Sequence, residues 1–111
     1  MNMNADIDRM NAGFHALAAL RVYDRAFSER TPYKIVAAVI GGHAVDEEDI
    51  EWLDGKISTL EGILSDLPME KGDMLGALSA LKSVRMCLNE EVNPQLVYNM
   101  ARKAESAVSG L

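Results

Sequence analysis

Cysteine is almost absent: Cys87 is the only one in 111 residues. No disulfide can form within the chain, so the fold must rest on its core, and the cytoplasm is the expected location. Aromatic residues are also scarce, at 5 % of the chain, which leaves Leu, Ile, Val, Met and Ala to build that core. Only two histidines are present, His15 and His43, so a zinc site of three or four His, Cys or acidic ligands has little to draw on. No apolar run approaches the ~20 residues that a membrane-spanning helix needs. The first residues, Met1-Asn2-Met3-Asn4-Ala5-Asp6, show neither the basic stretch nor the apolar stretch of a secretory signal. Positive charge is in short supply, with 11 Lys and Arg against 17 Asp and Glu and a net charge of −6. Such a surface repels phosphate backbones, so direct nucleic-acid binding is disfavoured and a basic protein surface is the easier partner.

What is present is the material of a globular domain. Apolar residues make up 49 % and charged residues 25 % of the chain. The length suits one domain, 1–111. Seven methionines are read as adaptable core filler.

Helical periodicity dominates. From about Asp6 to Arg30, Ile7, Met10, Phe14, Leu17, Leu20 and Phe27 recur at helical spacing and are the expected buried stripe. Every residue from Ala16 to Leu20 is apolar, so this helix is expected to be covered on two sides. The chain has three prolines, and each marks a boundary. Thr31-Pro32 reads as a cap followed by a first-turn proline. Tyr33 to Ile40 then reads as a short buried helix ended by Gly41-Gly42, with a strand as the alternative because Ile35, Val36, Val39 and Ile40 are β-branched. Asp46 opens the clearest helix, with Ile50, Leu53, Ile57, Leu60, Leu64 and Leu67 in a heptad seam that stops before Pro68. A fourth helix, from Pro68 or Asp73 to Asn89, puts Met74, Ala77, Leu78, Leu81, Val84 and Leu88 on one face. Asn93-Pro94 starts a fifth helix, which shows Val97, Met100, Ala101, Ala104 and Val108 on its apolar side. The expected fold is therefore all-α, a small bundle of four to five helices, mostly antiparallel.

Catalytic and ligand motifs are weak by comparison. The acidic cluster Asp46, Glu47, Glu48, Asp49 and Glu51 lacks the turn glycine of a calcium loop and reads as negative charge at a helix N-terminus. Cys87, expected in mid-helix, has no feature that would lower its pKa. No phosphate loop, nucleophile elbow or dinucleotide fingerprint occurs. Helix, glycine turn and helix follow one another from Tyr33 to Leu53, but five acidic residues among six open the would-be recognition helix, which counts against a DNA reader. No catalytic residue, metal ligand or cofactor-binding residue is expected, and no enzyme.

Surfaces for other helices are better represented. On the Asp46 helix, Trp52 and Ile63 share an azimuth roughly a quarter-turn off the seam, and Gly55 and Gly62 lie nearly opposite it. Interior glycines cost about 0.5–1 kcal/mol each relative to alanine, which close approach of another helix would explain. Trp52 is either a partner anchor or is packed against the first helix. Gly76, Ser79, Ala80, Ser83 and Cys87 form a small-residue face, suited to close packing or left as plain surface. Trp52, Ile63, Gly55, Gly62, Asp49 and Glu48 are the expected partner-binding residues, the acidic pair steering toward a basic patch.

In size, charge and helical plan, with the Asp46–Leu67 helix carrying Trp52 and the small-residue face at Gly76–Ser83, the chain resembles the small acidic all-helical antiactivators of bacterial quorum sensing. It is similar also to phage-encoded helical inhibitors. The resemblance implies a regulatory inhibitor that binds a protein partner such as a transcription regulator. Self-association as a homodimer is also expected, a purely structural homo-oligomer being the alternative and a small-molecule enzyme the least supported one.

Overall fold

The computed structural model describes residues 3–66 and 72–109. These residues form five helices, α1 (Met3–Tyr23), α2 (Thr31–Gly41), α3 (Glu47–Asp66), α4 (Gly72–Met86) and α5 (Pro94–Ser109), with no strand among them. The fold is an all-α bundle. Helices α1, α4 and α5 pack most intimately, α2 lies mainly on α1, and α3 lies on α4 and α2. The expected stop at Leu67-Pro68 falls outside the described residues.

Helix α4 occupies the centre. Its residues from Gly76 to Leu81, with Ser83 and Val84, are all buried, so both its large-residue and its small-residue faces are interior. The small face at Gly76, Ser79, Ala80 and Ser83 is thus used by the chain's own helices and is not a docking surface. A Cβ at Gly76 would stand 2.6 Å from Val22 Cγ1 and 3.1 Å from the Ala104 carbonyl oxygen, so α1 and α5 close on α4 at this residue. The buried Ser83 hydroxyl donates to the Ala80 carbonyl at 2.6 Å, which satisfies it inside the core.

Helix α1 overturns one expectation. Of the expected stripe only Leu20 is fully buried, while Ile7, Met10, Phe14 and Leu17 are exposed. The buried face is built instead from Ala12, Gly13, Ala16, Ala19, Leu20 and Tyr23. Small side chains let neighbouring backbones come close, and close packing then gains dispersion contacts along the whole helix. A Cβ at Gly13 would lie 2.6 Å from Ile40 Cγ1, which marks the crossing with α2.

Helix α1 also ends at Tyr23, well short of Arg30. Beyond it the ladder tightens: Arg25 N–H bonds Val22 O and Ala26 N–H bonds Tyr23 O, each at 3.1 Å. The chain is turned by side chains that fold back on the helix end. Phe27 stacks on Tyr23 with ring centroids 5.2 Å apart, and the Tyr23 hydroxyl donates to Glu29 at 2.5 Å.

The helical reading of Tyr33 to Ile40 holds, and Ile35, Val36 and Val39 are buried along one side of α2. Thr31 does not cap it. Arg30 occupies the cap position without a side-chain bond, and Thr31 is already helical. Gly42, at φ 72°, closes the helix: its N–H reaches Val39 O at 3.3 Å and His43 N–H reaches Ala38 O at 2.8 Å. The Asn93 cap is realised, because its side-chain oxygen accepts from Gln95 N–H at 3.0 Å. Cys87 stands in the turn just after α4 and not within the helix.

Candidate interaction surfaces

The expected site residues lie together on α3. This helix buries Leu53 and Leu60 and half-buries Ile57 and Leu64, so the seam faces the bundle as its spacing requires. Exposed ion pairs flank the seam, Arg85–Asp54 at 2.7 Å and Lys82–Glu61 at 3.3 Å. Each adds about 0–1 kcal/mol, so burial of the seam does most to hold α3 on α4. Trp52 is half-buried against the core. Ile63 is 37 % exposed. Around a Cβ placed at Gly55 or at Gly62 there is nothing within 4 Å. Among the described residues no close approach accounts for either glycine.

The acidic start of α3 is partly engaged already. Lys34 Nζ on α2 lies 3.2 Å from Asp49 and 3.5 Å from Asp46. The hydrogen bond that Lys34 donates to Asp49, with the charges of Asp49 and Asp46, raises the Lys34 pKa. Asp49 is therefore a strut between α2 and α3 as well as a surface acid, while Glu47, Glu48 and Glu51 are exposed.

The second surface is the outer face of α1. Ile7 is 50 %, Met10 44 %, Phe14 51 % and Leu17 37 % exposed. At 100° per residue their mean direction lies roughly 140° from that of the buried face. The signal that could have revealed this was the run Ala12, Gly13, Ala16 and Ala19, a small-residue stripe on the opposite side.

Clefts at either end of α1 hold polar groups. One, of about 630 Å³, lies between α1 and the start of α5 and is lined by Asp8, Asn11, His15, Asn93 and Gln95. His15 meets the Tyr98 ring edge-on at 5.1 Å. The other, of about 420 Å³, lies at the α1–α2 connection beside Asp24, Glu29, Arg30 and Tyr33. There, burial and then a hydrogen bond to Asp24 push the Tyr33 hydroxyl up to about 12, and burial and Glu29 raise Tyr23 further. Burial works against the Glu29 carboxylate, yet hydrogen bonds from Tyr23 and Lys56 hold its pKa below the usual value. Lys56 Nζ stands 3.0 Å from Glu29 and 4.0 Å from the centre of the Phe27 ring. These groups are tied to one another, and they pin the turn after α1 to α3.

Cys87 is buried, its thiol donates to the Ser83 carbonyl at 3.4 Å, and burial pushes its pKa up to about 12. Among the described residues no three His, Cys, Asp or Glu side chains gather so as to hold a metal ion, and no helix is long and apolar enough to cross a membrane.

Fold and surfaces together define the chain as an all-α helical bundle with large apolar side chains left exposed on α1, on α3 at Ile63, on α4 at Leu75 and on α5 at Leu96 and Tyr98. No protein-family model, curated protein or solved structure matches it.

Proposed function

We propose that this chain is a cytoplasmic regulatory protein that works by binding a protein partner, in the manner of an antiactivator that holds a transcription regulator, and that it does so as a homodimer. It acts by contact and not by catalysis; its one thiol, buried and held protonated, is no nucleophile. The observation that carries the reading is the outer side of α3. Gly55 and Gly62 face open space there, beside exposed Ile63 and half-covered Trp52. Two interior glycines cost about 0.5–1 kcal/mol each, and nothing among the described residues needs them. A helix of another protein laid against them supplies the need. Trp52 and Ile63 would anchor its edge, and Glu48 with its exposed neighbours would draw in a basic patch.

The test is affinity capture from the native host with mass identification, run in parallel with Ile63→Glu and Trp52→Ala. A transcription regulator retained by the wild type and lost with Ile63→Glu, at unchanged helicity, supports the reading. A regulator retained equally by all three chains places its contact elsewhere. If Trp52→Ala unfolds the chain, Trp52 belongs to the core and Ile63 with the glycines must carry the contact.

A further inference from the structure

Helix α1 has two apolar faces, and the fold uses one of them. Ile7, Met10, Phe14 and Leu17 on the other face follow steps of three, four and three, the spacing of a two-stranded helical seam. One more step of four reaches Arg21, which is exposed in the last turn. Asp6 is exposed in the first turn. The stripe is therefore apolar in the middle, acidic at one end and basic at the other. Arg25 is not part of this pattern, because it is paired with Asp73 at 3.1 Å.

That polarity selects the occupant. A strip with opposite charges at its two ends complements an antiparallel copy of itself. Turned end for end, each Asp6 comes within side-chain reach of Arg21 on the other copy, and the helix dipoles oppose one another favourably. In a parallel pair Arg21 would face Arg21 across the seam, with like charges at both ends. A generally basic partner would meet repulsion at Arg21.

We propose that the outer face of α1 is the dimer seam of this protein, on which a second copy lays its own α1 antiparallel. Ile7 then layers against Leu17 of the second copy, and Met10 against Phe14 of the second copy. The proposal rests on the reading of the chain as a homodimer and adds which face pairs and in which direction. It leaves α3 free for a different protein.

Light scattering on size-separated protein over a range of concentrations tests it. The wild type is expected to be a dimer. Phe14→Glu and Leu17→Glu, each at an exposed position, are expected to weaken the dimer by roughly thirty-fold or more, with helicity unchanged. Ile63→Glu on α3 should leave the dimer intact. Arg21→Asp alone should weaken it, and adding Asp6→Arg should restore it. Both stripe variants remaining fully dimeric would overturn the seam while the homodimer reading stood. A wild type of monomer mass at every concentration would overturn that reading too. Monomeric stripe variants without rescue by the charge swap would overturn the antiparallel direction.

Discussion

Val22 of α1 fills the space that a side chain at Gly76 of α4 would need, its Cγ1 only 2.6 Å from where a Cβ would sit. Val108 Cγ1 at 3.0 Å and the Ala104 carbonyl oxygen at 3.1 Å close the same space from α5. The three helices meet at this residue, and one of the obstacles is backbone, which cannot rotate away. Gly76→Ala is therefore expected to destabilise the protein by about 1–3 kcal/mol, although alanine is the better helix former. Urea unfolding measures this. A more stable variant would show that α1 and α5 stand further from α4 than described.

The glycines of α3 should behave in the opposite way. Nothing lies within 4 Å of a Cβ at Gly55 or Gly62, and both are in the helix interior. Alanine at each is expected to raise stability by about 0.5–1 kcal/mol through helix propensity alone. If the outer side of α3 receives a partner helix at close range, the same double variant loses partner affinity while gaining stability. Unfolding midpoints and partner capture, measured on the same preparation, separate these effects. A double variant that gains stability and keeps its partner removes the glycines from the contact.

These paired cases show where sequence reasoning succeeds and where it stops. Helix α3 was legible because most of its large apolar residues follow one heptad seam, and Leu53 and Leu60 are buried where the spacing puts them. The start of α5 was legible because Asn93-Pro94 is a local cap that needs no tertiary partner. The orientation of α1 was not legible. Both Ile7-Met10-Phe14-Leu17 and Ala12-Ala16-Ala19 are apolar stripes, and transfer energy alone favours burying the larger one. Packing decided otherwise, because Gly76, Ala77 and Ala80 make α4 a narrow helix that neighbours approach closely. The end of α1 was hidden for a related reason: the contacts of Tyr23 with Phe27 and Glu29 turn the chain, and neither has a sequence signature. The outward direction of Ile63, Gly55 and Gly62 was legible from azimuth alone. The strut from Lys34 to Asp49 was not, since it depends on how α2 meets α3.

Glu29 gives the stability a predictable dependence on pH. Its carboxyl is held below the ordinary value of 4.5 by hydrogen bonds from Tyr23 and Lys56, which together outweigh the opposing effect of burial. A group more acidic when folded than when unfolded adds stability above its unfolded pKa and loses it as pH falls through the folded one. Glu29→Gln should therefore be less stable than the wild type at neutral pH. The gap should narrow as pH drops below about 4.5 and close once the carboxyl is protonated in both states. Urea titrations of both chains across the acid range would show this. A gap that stays constant to low pH would mean that Glu29 matters through shape and not through charge.

Cys87 should report on the opening of the bundle. The side chain is 1 % exposed, its thiol donates to Ser83, and burial pushes its pKa up to about 12. At neutral pH the thiolate fraction in the folded chain is then roughly one in a hundred thousand, so an aromatic disulfide reagent has almost nothing to attack. Labelling of the native protein should be slower than that of the unfolded chain by several orders of magnitude. In urea it should accelerate in step with the loss of helical signal, because exposing Cys87 means separating the end of α4 from the core around it. Fast labelling before any helix is lost would show instead that the turn following Met86 opens by itself, as a unit less stable than the rest of the fold.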